Sequence, residues 1–290
     1  MRYAFIEGQR ALHCVRRMCD NLDVSPAGYY EWRSRPASAR SAADAELTAT
    51  IVDAHQKSHG RYGRPRIHAD LRYLGFSVGA KRVARLMKAA CIEGLRPRRF
   101  KKTTDSAHSL PVAKNVLQRK FAVAEIGAPN RAWAGDITYF ATREGWLYLA
   151  VVLDLATRKI VGWSIASTME RSLVIDALKP ALANRRPAPG LLFHSDRGSQ
   201  YASGDYRALL KQFVITASMS GKGECWDNAV VESFFGSMKT ELGNPVWETR
   251  EAARAAIFEY IEIWYNRIRR HSTLGYVSPE QYERALLNAA

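Results

Sequence analysis

Three acidic residues stand where a carboxylate is expensive. Asp136 lies within Trp133-Ala134-Gly135-Asp136-Ile137-Thr138-Tyr139-Phe140, whose aromatic and β-branched content predicts a strand. A charge at the centre of a sheet needs compensation. Asp196 follows the short apolar run Leu191-Leu192-Phe193 after His194 and Ser195, and the carboxyl ends of strands are where α/β sheets place their sites. Glu232 sits in a stretch from Asp227 that reads as a helix. At about 100° per residue, Asn228 and Lys239 share the Glu232 face. Trp226, Val230, Phe234 and Met238 form an apolar stripe displaced from that face, expected to anchor the helix on the sheet. No Lys or Arg lies three or four residues from Glu232, so a local helical ion pair does not balance it. Carboxylates converging from separate elements repel one another unless a cation sits among them. Hard oxygen ligands suit Mg²⁺ or Mn²⁺, and two such ions about 3.5–4 Å apart can clamp the attacking and leaving oxygens of an in-line phosphoryl displacement. The chemistry indicated is cleavage or transfer at a phosphodiester.

Other candidates have plainer readings. Asp154, after a predicted strand, suits a turn, and Asp227, at the start of the Glu232 helix, suits an N-cap. His194 fits either a group supporting the site or an ordinary hydrogen-bonded strand-end histidine. Cys14, Cys19, Cys91 and Cys225 make no CxxC pair, which excludes a zinc finger or a disulfide framework and leaves them as small apolar residues.

Elements must hold these residues in place, and they divide the chain in two. Of the net charge of +15, residues 1–132 carry +14 and residues 133–290 only +1. Such asymmetry points to an N-terminal half that binds a polyanion, nucleic acid first, joined to a half with other work. The first half reads as helices. Ser25-Pro26 resembles an N-cap with Pro at the first helical position, a second helix is expected over about 42–56, and Pro65 to Leu74, a Gly-containing turn and Lys81 to Ala90 form a helix-turn-helix. In such a module the second helix enters the major groove, and here it carries Lys81, Arg82, Arg85 and Lys88. Arg96, Arg98, Arg99, Lys101 and Lys102 follow as a basic segment suited to phosphates. The expected organisation is a helical segment over 1–40, a DNA-binding domain over 41–102, a linker over 103–127 with a possible helix at 113–123, and a second domain over 128–290.

From Arg131 the periodicity changes. Trp133 to Phe140, Trp146 to Asp154 and Ile160 to Ser167 read as three strands in hairpin succession, followed by a helix at about 173–184, strand Leu191 to Phe193, a helix near 206–212, strand Val214 to Ala217 and the Glu232 helix. The order β-β-β-α-β-α-β-α defines a mixed α/β layer. A last helix, about 252–270, places Ile257, Tyr260, Ile261 and Trp264 at core spacing and ends in Arg267, Arg269 and Arg270, where DNA contact and helix-dipole stabilisation both remain open. At 47% hydrophobic and 24% charged the chain is not disordered. No apolar run reaches the roughly 18–20 residues of a membrane span, and the start has no secretory-type segment, so a soluble protein of the cytosol is expected.

Taken together, these strings resemble a known family. Asp136, Asp196 and Glu232, with 59 and 35 residues between them, are similar to the DDE triad of insertion-sequence transposases of the downstream-frame, OrfB type, whose catalytic domain is similar to retroviral integrase. The resemblance extends through Ser25-Pro26-Ala27-Gly28-Tyr29-Tyr30, Tyr62-Gly63-Arg64-Pro65-Arg66-Ile67, Lys239 seven positions beyond Glu232, and Tyr265-Asn266-Arg267 through Tyr276 before Ser278-Pro279. It implies an RNase H-like, integrase-type catalytic core behind an all-α helix-turn-helix region. It also implies Mg²⁺ or Mn²⁺, two ions, held by Asp136, Asp196 and Glu232, and DNA contact at Lys239, with Asn228 a second contact on the same face. The implied partners are double-stranded DNA at element ends and target, further copies of the chain on DNA, and an upstream-frame protein or frameshift fusion. A DNA-binding regulator with a silent core and a nuclease acting on RNA–DNA hybrids are the alternatives; the intact triad and the basic N-terminal half respectively argue against them.

Overall fold

The computed structural model describes residues 1–36, 38–96, 110–222 and 224–289. Arg98, Arg99, Lys101 and Lys102 of the basic segment lie outside the described residues. Three short helices open the chain: α1 (Arg2–Gln9), α2 (Val15–Asn21) and α3 (Pro26–Ser34). They share a small core of Ile6, Met18, Cys19 and Tyr29, and Ser25 caps α3 by accepting from the Gly28 N–H, as its sequence predicts. The helices α4 (Ala39–Lys57), α5 (Arg64–Tyr73) and α6 (Ala80–Ala89) follow. The α5–α6 turn is fixed by the His68 ring, whose Nε2 lies 2.8 Å from the Val78 carbonyl oxygen. Val83, Leu86 and Met87 face inward from α6, as their spacing predicts.

The linker departs from expectation. Residues 113–122 are not helical, and the one helical turn is α7 (Val123–Ile126). Tertiary bonds override local propensity here: the Val116 and Leu117 N–H groups donate to Ser218 Oγ at 2.9 and 3.2 Å, and Asn115 and Arg119 donate to Asp227. Gln118 and Arg119 adopt left-handed φ values of 49° and 61°, which end any helix.

Strand β1 (Ala132–Thr142) is apolar on both faces, with Trp133 on one and Ala134 and Phe140 on the other, because both are covered. It pairs antiparallel with β2 (Gly145–Asp154), which pairs antiparallel with β3 (Ile160–Ala166). After α8 (Arg171–Arg185), β4 (Leu192–Ser195) returns parallel to β1. After α9 (Ser199–Ala202) and α10 (Gly204–Gln212), β5 (Thr216–Met219) runs parallel to β4. The order β3-β2-β1-β4-β5 is the RNase H-like, mixed α/β arrangement that the strand and helix sequence implies. Strand β5 begins two residues later than its apolar run predicts, since Val214 turns into a left-handed φ of 54° on leaving α10. Helix α8 lies close on β3 only because residue 162 is glycine: a Cβ there would stand 2.3 Å from the Ala177 carbonyl oxygen.

The opposite face is covered by α11 (Ala229–Glu241), α12 (Arg250–Phe258) and a π-helical stretch, Glu259–Ile268, with α13 (Pro279–Ala289) closing the chain. The last predicted helix therefore changes pitch midway. With more than four residues per turn, Tyr260, Ile261, Trp264 and Tyr265 are all buried, and Asn266 pairs with both backbone groups of Ile160 at the start of β3. One buried cluster runs from Leu47, Ile67 and Leu86 of the N-terminal helices to Val231, Phe234 and Trp264. The two motif strings meet here. Arg270 N donates to Tyr62 Oη at 2.7 Å, Arg66 Nε to the Arg270 carbonyl at 2.9 Å, and the Arg270 guanidinium pairs with Asp70. Arg269 is 4% exposed and pairs with Glu241 at 2.7 Å. Arg267 lies 3.8 Å from Glu280. Arg269 and Arg270 are thus engaged in ion pairs within the fold, while Arg267 stays largely exposed.

Glu241 also accepts from Trp264 Nε1 at 2.9 Å and Tyr260 Oη at 3.2 Å. Burial alone would raise its carboxyl, but the charge and bonds of Arg269, with the Trp264 bond, bring it below the ordinary carboxylate value. A carboxyl lowered on folding stabilises above its unfolded pKa, and that contribution is lost as pH falls through the folded value. Glu241→Gln should therefore cost about 3–5 kcal/mol at pH 7, since it strands a buried guanidinium. The deficit should shrink as the pH is taken below about 4. Urea unfolding at several pH values checks this, and a pH-independent deficit would contradict it.

Candidate active site

Pairing of β1 with β4 builds the site. Gly135 is matched with Ser195, the last residue of β4, so Asp136 and Asp196 are the next residues on two adjacent parallel strands. Such strands lie about 4.8 Å apart. Asp136 and Asp196 are both half-buried. Asp136 Oδ1 accepts from the Ile137 N–H at 2.8 Å, and Asp196 Oδ1 accepts from the Gly198 N–H at 2.9 Å, folding the chain after β4 into a tight turn. Residue 135 must be small: a Cβ there would lie 2.6 Å from the Phe193 ring and 3.2 Å from Tyr201 Oη.

Helix α11 crosses this end of the sheet on Val231, Phe234, Phe235 and Met238. Phe234 and Met238 of the expected stripe are buried, and Val230 is half-buried. Trp226 is 68% exposed, because it belongs to a 3-10 turn, Cys225–Asn228, that precedes the helix and does not continue its face. Asn228, not Asp227, occupies the position before α11. The sequence places Asn228 on one polar face with Glu232 and Lys239 as a second DNA contact; it is instead 4% exposed, and its Nδ2 donates to the Gly135 carbonyl at 3.2 Å. This bond ties the front of α11 to the residue before Asp136. Asn228 Oδ1 has no partner among the described residues.

Glu232 is exposed on α11, and Lys239, two turns further on, is half-buried. Lys239 Nζ lies 4.9 Å from the centre of the Tyr139 ring and 5.6 Å from that of Phe140. Desolvation, then the charge of Asp196 and then that of Glu232 push the Asp136 carboxyl well above the ordinary range, with the Ile137 N–H and Lys239 opposing. Burial lowers the Lys239 ammonium, which Asp136 partly offsets. Asp196, Glu232 and Lys239 are therefore all felt at the Asp136 carboxylate. Among the described residues no group of three or more His, Cys, Asp or Glu side chains is placed to hold a metal ion by itself. The donor set still fits Mg²⁺, which binds through one or two carboxylates together with water and phosphate oxygens rather than in an all-protein cage.

The competing acids are structural. Asp154 is fully buried and accepts from the Asn130, Ala156 and Thr157 N–H groups. Asp227 accepts from the Gly221 N–H and from Asn115 and Arg119, and so anchors the linker. His194 is buried with Nδ1 2.9 Å from Ser218 Oγ, and burial lowers it to about 4, so it is neutral near pH 7. On α6, Lys81 and Arg85 are exposed, while Arg82 and Arg85 bond Asp44 of α4 at 2.7 and 2.6 Å. Sequence reasoning missed Glu241. Nine residues beyond Glu232 place it on the opposite face of α11, and an acid on the apolar side of a helix is the signal that marks it.

Comparison with known proteins agrees with this layout. An HTH-like domain model matches residues 42–100, an integrase core domain model matches residues 127–225, and a second integrase core model matches residues 214–279. The class defined is that of DNA-recombining enzymes with an integrase core. The transposase InsF of insertion sequence IS3A from Escherichia coli K12 is 43% identical over 98% of each chain. A 31 kDa protein of insertion element IS600 from Shigella sonnei is 44% identical over 91% of this chain and 97% of its own. The chain belongs to the family of IS3-type insertion-sequence transposases. Among solved structures, the HTLV-2 integrase catalytic core domain in complex with magnesium, in a trimeric form, aligns at 18% identity with a TM-score of 0.42, covering 54% of this chain and 98% of that one.

The raised Asp136 carboxyl has a thermodynamic consequence. An acid whose pKa rises on folding stabilises below its unfolded value and ceases to do so as pH rises through the folded one. Ionised Asp136 is then a liability in metal-free protein. Asp136→Asn should raise the metal-free melting temperature at pH 8 by about 2–4 °C, the size of roughly 1 kcal/mol in a chain of this length, and by nothing near pH 4. Equal melting of the two proteins at pH 8 would contradict the assignment.

Proposed function

We infer that this transposase cuts and joins DNA at the ends of its own element through Asp136, Asp196 and Glu232, acting as a DDE enzyme with two Mg²⁺ or Mn²⁺ ions. The observation that carries this reading is the adjacency of Asp136, inside β1, and Asp196, directly after the end of the neighbouring β4, with the charges of Glu232 and Lys239 felt at Asp136. Bound divalent ions would supply activation of a water or 3′-hydroxyl nucleophile and neutralisation of charge at the scissile phosphate. Asp136 and Asp196, held by the Ile137 and Gly198 N–H groups, fix one side of that site, and Glu232 approaches from α11. Lys239 sets a cation beside the phosphate path. Asn228 acts through the Gly135 carbonyl, keeping α11 in register with β1.

DNA is held by the 41–102 unit, which we keep distinct from the 1–40 segment, the 103–127 linker and the 128–290 core. In this reading Lys81, Arg82 and Arg85 of α6 contact the phosphates, and Arg98 and Arg99, outside the described residues, are assigned the same role from the sequence. The acting assembly contains more than one copy, since two element ends must be joined, and it works in the bacterial cytosol, where an upstream-frame fusion would add a further DNA-binding segment. No helix among the described residues is long and apolar enough to cross a membrane.

Asp136→Asn, Asp196→Asn and Glu232→Gln, tested singly on a duplex carrying the element's terminal repeat, should each lower Mg²⁺-dependent cleavage by about 10²–10³-fold or more. Binding of the same duplex should change by less than about twofold. Turnover in any one variant would overturn that assignment, and wild-type binding without nicking would mark a regulator instead. Lys81→Ala and Lys88→Ala should each reduce the slope of log affinity against log salt by about 0.9, measured by anisotropy; an unchanged slope would remove α6 from the DNA interface.

A further inference from the structure

The sheet carries an aromatic surface that the acidic site does not use. Tyr139 on β1 and Trp146 on β2 pack edge to face with ring centres 4.9 Å apart, and Tyr148 lies 6.5 Å from Tyr139. Register explains the group, because Tyr139 pairs directly with Tyr148 and Trp146 pairs with Ala141, two residues along β1 on the same face. Tyr139 is 37% exposed and Trp146 51%. Cross-strand aromatic pairing supports a sheet, yet it does not require a tryptophan half open to water.

The position of this surface gives it a use. Strand β4 stops pairing at Gly135, and the Trp247 N–H rejoins the edge of β1 only at the Ala141 carbonyl. Among the described residues, the edge of β1 therefore lies open from Asp136 to Phe140. Side chains alternate, so Asp136 and Phe140 share the α11 face while Tyr139 shares the other. Lys239 contacts both Tyr139 and Phe140 and so bridges the open edge from one face to the other. A strand whose phosphate lies at Asp136 can follow the lysine over that edge. Three residues of strand separate Asp136 from Tyr139, roughly 10 Å, about the length of three stacked bases.

We propose that Tyr139, Trp146 and Tyr148 form a stacking platform for unpaired nucleobases of the DNA strand held at the acidic site. This rests on the DNA-cutting role assigned to Asp136. Aromatic faces accept any base, a cation at the rim balances the phosphates, and a base laid over the exposed rings of Tyr139 and Trp146 removes apolar surface from water. The platform takes single strands, since paired bases offer no free face.

The test uses the full-length protein and two probes: a blunt hairpin duplex, and the same hairpin with a three-nucleotide single-stranded tail containing 2-aminopurine. Wild-type protein should bind the tailed probe about tenfold more tightly at fixed salt and quench its fluorescence. Trp146→Ala should lose both the preference and the quenching, and Trp146→Phe should keep them. Equal binding of both probes by wild type, or an undiminished preference in Trp146→Ala, would overturn the platform. So would a change in oligomeric state by light scattering in Trp146→Ala with the tail preference intact, which would assign the face to contact between copies. Cleavage by Asp136→Asn judges the acidic site separately, so either reading can fail alone.

Discussion

Repulsion between Asp136 and Asp196 is the constraint around which this molecule is arranged. The parallel β1–β4 pairing fixes their backbones side by side, and among the described residues no lysine or arginine makes an ion pair with Asp136, where the charge of Lys239 is felt. A protein that merely needed to be stable would place neutral residues at these positions. Keeping the charges, and bringing the Glu232 charge to bear on them, makes sense for a site whose compensating cation arrives with the substrate.

Such a site is useful only if α11 is rigid, and both of its ends are tied down. Asn228 bonds the Gly135 carbonyl at the front, and Glu241 gathers Tyr260, Trp264 and Arg269 at the back. The π-helical stretch makes the rear tie possible: its wider turn brings Tyr260, Trp264 and Arg269 to one side, where an α-helix would spread them. The same stretch meets the N-terminal unit. Arg61 stacks 4.7 Å from the Trp264 ring, and Tyr62 and Arg66 bond the chain at Ile268 and Arg270. The N-terminal unit is thus joined through directly contacting side chains to the base of the helix that carries Glu232.

The sequence made much of this legible, for identifiable reasons. Strands β1 to β3 are long, two-face apolar runs separated by turn residues, and their order and pairing could be read. Acids at a strand centre and at a strand end were conspicuous because local pattern offers them no partner. What failed was what distant contacts decide. The 113–123 segment has helical composition, but Ser218 and Asp227 hold its N–H and side-chain groups. Asn228 and Trp226 fell off the expected helix faces because the helix begins at Ala229, after a 3-10 turn. The π-helix left no trace in periodicity, since Ile257, Tyr260, Ile261 and Trp264 also satisfy an α-helical face.

Charge illustrates the same limit. Residues 1–132 carry almost the whole positive excess, and composition alone assigns that excess to DNA. Yet Arg66 lies against the Arg270 carbonyl, Arg61 against Trp264, and Arg82 and Arg85 reach Asp44 within the domain. These guanidiniums are chosen for planar, multidentate contacts that lysine cannot make. The lysines of α6, Lys81 and Lys88, remain exposed. A count of basic residues therefore overstates the charge that this half presents to solvent, since these four arginines are engaged within the fold. A surface of that kind attracts DNA without fixing its register. Nearer the acidic site α11 and β1 converge, and Lys239 lies 4.9 Å from the centre of the Tyr139 ring.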